Sequence, residues 1–287
     1  MTRTHKLCST VLGLGLLCGA APMTLAQPAG EPPVKAANPE APTAENRAQA
    51  LAVVDRFVEA IGGAARLEEK RSSRMKGSIS LMGQTGTLTV ITIPGEMFVQ
   101  KMSLPGLGLE NLSGSDGTRG WTFDSMSGAT LMPDAMHEQL RREADPSSIL
   151  RYDEVYPVIE YLGDGEFEGA AVESIRVVDE AGLESVQHYA KGSALLIGGE
   201  SDQDSPQGQI RVKSLASEYK DFGGLRVATV STMEMGPMTM VMKIESIETE
   251  GVSATEIEIP KAVVKLLEKA AAKAAEETEK PENDGEG

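Results

Sequence analysis

Between residues 75 and 247 the chain is a succession of short stretches in which apolar and polar residues alternate, separated by Gly-, Asp- and Pro-containing turns. Alternation with period two places one face of each stretch in a core and the other toward water, the pattern of half-buried strands. The stretches fall at 75–81, 87–93, 97–104, 107–112, 120–124, 129–132, 158–162, 172–178, 186–189, 194–200, 210–219, 225–233 and 238–247. No helix alternates with them in βαβ fashion, so the sheet is antiparallel. A sheet of about a dozen strands must curl or split to bury its faces.

Three segments read as helices. From Ala48, apolar residues recur at Leu51, Val54, Phe57, Val58 and Ile61, one buried face closed by Gly62-Gly63. A second helix, 133–143, carries Met136 and Leu140 on one side and stops at Asp145-Pro146; a third begins at Pro260 and runs through Val264, Leu267 and Ala271. The first two are expected to cover the concave side of the sheet. The fold class is mainly β with α (α+β): a curled antiparallel sheet, an incomplete β-barrel of about 11–12 strands with a helical lid.

The N-terminus reads as an export signal. Arg3, His5 and Lys6 precede an apolar run over 7–19, and Thr24-Leu25-Ala26 precedes Gln27, which predicts a signal peptide over 1–26 and a soluble periplasmic product. The alternatives are an uncleaved anchor, against which Gly13, Gly15, Gly19 and Pro22 interrupt the run, and a lipid anchor on Cys18, against which Leu17 stands where a small residue is wanted. Both cysteines, Cys8 and Cys18, lie in that segment, so a processed chain has no thiol chemistry. Residues 27–42, rich in Pro, Ala and Glu, read as a disordered tether, 276–287 as a disordered acidic tail, and 43–275 as one domain. The net charge is −16, and −18 once Arg3 and Lys6 leave with the signal. Such acidity argues against nucleic acid and against anionic membrane surfaces as partners, and the protein is not read as an integral membrane protein.

Catalytic motifs are missing. Beyond residue 26 the histidines are His137 and His188, far apart in sequence, and no HExxH, GxSxG or P-loop pattern occurs. Asp116, Asp124 and Asp134 sit in turns, where acids cap or solvate, and His137, beside Glu138, is expected on an exposed surface. The reading is non-catalytic, with no cofactor and no metal ligands of the usual kinds. Trp121, after the Asp116-Gly117 turn, is either the first large core residue of its strand or part of a ligand wall. A methionine block is more unusual: Met233 and Met235 share one strand face, and Met238, Met240 and Met242 share another. Three readings stand: ordinary core, a compliant wall for an acyl chain or apolar peptide, and a thioether Cu(I) site.

The stretch 86–94, Gly-Thr-Leu-Thr-Val-Ile-Thr-Ile-Pro, followed by Met97-Phe98-Val99 and then Asp116-Gly117 with Trp121-Thr122-Phe123-Asp124, resembles the outer-membrane lipoprotein-sorting (LolA/LolB-like) superfamily, as a divergent member. The pieces 188–198 and 218–225 resemble later strand pairs of the same group. The sequence departs from the family where basic residues are common, holding Thr92-Ile93 and Val99-Gln100 instead. The resemblance implies an unclosed barrel, a helical lid and an apolar cavity for the acyl chain of a lipid or lipoprotein, with a donor or acceptor protein in the envelope. The expected cavity residues are Phe98, Met102, Trp121, Met238, Met240 and Met242, with lid contacts from Phe57, Met136 and Leu140. The rival readings are a Cu(I)-binding envelope protein and a β-scaffold filled by its own side chains.

Overall fold

The structure, a computed structural model, describes residues 42–278 except 70, 95, 181, 206 and 207. The expected signal peptide, and nearly all of the expected tether and tail, lie outside the described residues.

The strands follow the alternation. β1 (Ser73–Leu81), β2 (Gln84–Ile93), β3 (Met97–Leu104), β4 (Leu109–Ser115), β5 (Gly120–Asp124) and β6 (Gly128–Leu131) form one meander; β7 (Val158–Phe167), β8 (Ala170–Val178), β9 (Glu184–Ala190), β10 (Leu196–Ser205), β11 (Gly208–Phe222), β12 (Leu225–Met235) and β13 (Met238–Glu248) form another. β1 pairs with β13, and the two meanders make one 13-stranded antiparallel sheet in the order β6-β5-β4-β3-β2-β1-β13-β12-β11-β10-β9-β8-β7. Among the described residues β6 and β7 do not pair, so the sheet is open. The chain crosses from one edge to the other through α3 (Asp134–Ala144), a 3-10 segment (Pro146–Arg151) and α4 (Tyr152–Val155). α1 (Ala44–Ile61) and the single turn α2 (Ala64–Leu67) precede the sheet, and α5 (Lys261–Thr278) follows it.

Three details differ from the sequence reading. The strand expected from Leu107 starts at Leu109, because Pro105, which cannot donate to a ladder, opens a 3-10 turn over Pro105–Leu107. The crossover holds α4 and a 3-10 segment that the apolar spacing does not announce. The last helix reaches Thr278, past the point at 276 where a disordered tail was expected, since its Ala-, Lys- and Glu-rich sequence favours helix.

α1 is fastened at both ends. Thr43 Oγ1 accepts from the Asn46 amide N–H, the usual N-cap. The Asn46 side chain then donates to the Tyr161 carbonyl (2.9 Å) and accepts from its N–H (2.8 Å), satisfying the open side of edge strand β7 as a neighbouring strand would. At the other end Gly62, with φ 135°, packs so tightly on the Gly224 carbonyl that no Cβ fits. Arg56 pairs with Glu173, and Arg226 donates to the Ala60 carbonyl.

The opposite face of the sheet is covered by α5. Ile91, Val99, Leu112, Trp121, Ile257 and Val263 form its core, and Arg74, bonded to both Glu248 and Glu256, ties β1, β13 and the approach to α5 together.

Candidate functional site

The concave face divides into two apolar clusters. Under α1 and α4 lie Phe57, Tyr152, Tyr156, Ile159, Ile175, Val177 and Tyr189, among others. Phe57 meets Tyr189 edge-on at 5.5 Å between centroids, and the Tyr152 and Tyr189 hydroxyls both donate to Gln187 Oε1 at 2.7 Å. Burial drives both phenols far above their ordinary pKa, so they stay neutral donors.

Under α3 the wall is different in kind. Met75, Met102, Met132, Met240 and Met242 are buried there, with Met136 and Met233 packed beside them, so seven of the chain's 14 methionines meet in one cluster. The register explains this. Met233 lies opposite Met240 and Met235 opposite Met238, while Met240 and Met242 face Leu81 and Ile79 across the central seam. The Met233/Met235 pair and the Met238/Met240/Met242 group therefore share one face. Phe98, Leu88, Val90 and Leu104 complete the floor, and Leu140 comes down from α3.

Between the clusters the floor is small and polar. One cross-strand row runs Ile175, Gln187, Gly199, Ser214, Met233, Met240, from beneath α1 to beneath α3. Leu225 packs against both clusters.

Phe98, Met102, Met240 and Met242 thus come together, with Met136 and Leu140 above them, and Met238 is half-buried at the end of the same face. Two expected site residues do not join them. Trp121, 1 % exposed, lies on the other face beneath α5: its partner across the ladder is Gly114, on the face of Leu112 rather than of Ser115. Phe57 belongs to the aromatic cluster under α1.

His137 is also corrected. It is buried, not exposed, and its Nε2 lies 2.7 Å from Ser115 Oγ. Gly120 makes room for it: a Cβ there would stand 3.0 Å from the His137 Cβ. Burial, aided by the Arg141 guanidinium, holds the imidazole below its ordinary pKa against the pull of Asp116, Asp134 and Glu138. This is the described side-chain hydrogen bond between α3 and the sheet. α3 begins at Pro133 without a side-chain cap.

Beside Ser115 lie residues the site reading passed over. Gln100 and Ser113 are cross-strand partners on the same face as Phe98 and Met102, and both are buried. The available signal was the alternation itself, which sets Gln100 between Phe98 and Met102. Among the described residues no group of three His, Cys, Asp or Glu is arranged to hold a metal ion, and no helix is long and apolar enough to cross a membrane.

No protein-family model and no curated protein matches the chain. Among solved structures, it is similar to a LolA superfamily protein from Nitrosomonas europaea, with 12% identity over 74% of this chain and 95% of that one and a TM-score of 0.47. It is similar to a putative outer membrane lipoprotein-sorting protein domain from Vibrio parahaemolyticus at 15% identity, 76% and 99% coverage and a TM-score of 0.48. It is likewise similar to a DUF1329 family protein from Desulfovibrio piger at 14% identity, 74% and 98% coverage and a TM-score of 0.48.

Proposed function

We propose that the chain is a non-catalytic periplasmic carrier that takes an apolar, lipid-like chain between α3 and the methionine-lined part of the concave face. One observation carries this: seven methionines gather where α3, which starts without a side-chain cap, packs on the sheet. Unbranched thioethers repack around irregular guests where branched side chains do not. Each Å² of apolar surface removed from water contributes about 25 cal/mol, so one long acyl chain supplies useful affinity without a charged anchor. The acyl chain of a lipoprotein is the cargo the sequence resemblance implies, and the signal-like N-terminus supports delivery to the envelope.

The test is mass spectrometry of organic extracts from gently purified protein, together with titration of an apolar fluorescent probe. The expected result is a co-purifying lipid-like species and saturable probe binding, weakened in a Met240→Glu variant that still folds. Protein that carries no lipid and binds no probe, with Met240→Glu failing to fold, defeats the reading and leaves a packed β-scaffold.

A further inference from the structure

The polar residues at the β3–β4 end of the floor beneath α3 have no use in a purely apolar site. Gln100 is 3 % exposed and Ser113 is fully buried, and neither Gln100 Oε1 nor Ser113 Oγ has a hydrogen-bond partner. Leaving one such atom dry costs about 1–3 kcal/mol, and buried polar atoms are nearly always satisfied. These two stand opposite each other across the ladder. Their neighbours on the same face are Val90 on β2, Phe98 and Met102 on β3, Asn111 and Ser115 on β4 and Thr122 on β5, with Ser115 already occupied by His137 and by the Gly117 N–H.

We propose that Gln100 and Ser113 receive the hydroxyl head of an otherwise apolar molecule whose chain lies among the methionines under α3. This rests on the carrier reading and specifies its ligand. The donor and acceptor inventory selects the group. Gln100 Oε1 only accepts, so the head must donate, which rules out esters and ethers. Ser113 carries an O–H, so a head that also accepts satisfies both residues at once, and a hydroxyl does both with one atom. A carboxylate or phosphate does not fit: the polar residues on the sheet side of this patch are Gln100, Asn111, Ser113, Ser115 and Thr122, none of them a cation, and an ion buried there has no counter-charge. Arg141 lies on the exposed side of α3.

The experiment displaces a bound apolar fluorescent probe without any N–H or O–H, 1,6-diphenyl-1,3,5-hexatriene, from the full-length processed chain with 1-dodecanol and with dodecyl methyl ether. The two share a chain and differ in the hydroxyl proton. Wild type is expected to prefer the alcohol about fivefold to tenfold, the size of one or two net hydrogen bonds. Gln100→Leu and, separately, Ser113→Ala should bind the probe as well as wild type and lose the preference. Both replacements remove an unsatisfied buried atom, so the variants should fold; Gln100→Leu should melt no lower than wild type. Probe binding with equal affinity for alcohol and ether overturns this proposal while the carrier reading stands. The same holds if the preference survives in both variants, since Gln100 and Ser113 then hold only a structural water. A wild type that binds no probe overturns the carrier reading, and this inference falls with it.

Discussion

The part of the concave face under α1 and the part under α3 solve the same burial problem with different materials. Beneath α1 the side chains are aromatic and β-branched, and Tyr152, Tyr189 and Gln187 fix one another through hydrogen bonds. Beneath α3 seven methionines lie among Leu, Val, Ile and Phe side chains, and among the described residues His137–Ser115 is the side-chain hydrogen bond that joins helix to sheet. α1 is docked through Asn46 at one end and Gly62 at the other; α3 starts uncapped. On the proposed carrier reading, one cover acts as a wall and the other as a door. Rigid aromatics specify a single packing, whereas thioethers tolerate several.

The largest effect that distinguishes them is a buried charge. Ile175→Glu, at a fully buried site under α1, is expected to lower stability by about 4 kcal/mol or more, whereas Met240→Glu, 9 % exposed beneath α3, is expected to cost about 1–2 kcal/mol. Denaturant unfolding of both variants measures this, and equal losses would erase the distinction.

Locking the door comes next. A Gly120→Cys/His137→Cys pair, whose β-carbons would start 3.0 Å apart and reach disulfide separation with a small outward shift of α3 and of the flexible Met132 side chain, should bind apolar probe at least tenfold more weakly when oxidised and recover on reduction. Unchanged uptake in the oxidised protein would mean that α3 does not move.

Asn46→Ala removes two hydrogen bonds to the β7 backbone and should cost about 2 kcal/mol, while His137→Gln should cost less than about 1 kcal/mol. Melting curves that reverse this order would contradict the assignment of wall and door.

The smallest effect is with pH. His137 and His188 are both held below their ordinary value of 6.5 by burial, with Glu200 pulling His188 the other way. The unfolded chain therefore takes up protons first as pH falls. Stability is full above about 6.5 and declines from there through the depressed folded values. Between pH 7.5 and 5 the melting temperature should drop and amide exchange should quicken in α3 before α1. Uniform quickening would falsify the link to His137. The carboxylates held low by arginine or lysine partners, such as Asp164 and Glu248, lose their contribution only in more acid solution.

Much of this was legible in sequence. Period-two alternation located the strands and the faces of Phe98, Met102, Met240 and Met242, because a strand's periodicity survives any tertiary setting. What pairs with what was less accessible. That Met233 and Met240 share a face depends on the β12–β13 register, and that Trp121 turns away depends on which side α5 covers. Both are long-range choices that local spacing does not encode. His137 escaped because its burial needs the void at Gly120, and Gln100 because a lone polar residue in an apolar alternation reads as tolerated, not as recruited.

The strand order also sets a timetable. β1 is made early and β13 last, yet they are neighbours at the middle of the sheet. All other pairings join consecutive strands and can zip up as hairpins while synthesis proceeds; this one joins the two meanders and closes a loop that contains nearly the whole domain. Until β13 arrives, β1 is an unpaired edge beside the uncovered apolar face of β2 and β3, with Leu88, Val90, Phe98 and Met102, a template for pairing with another copy. The nascent protein therefore passes through a period in which it is itself an apolar cargo, in need of the kind of shelter that its finished fold is proposed to offer.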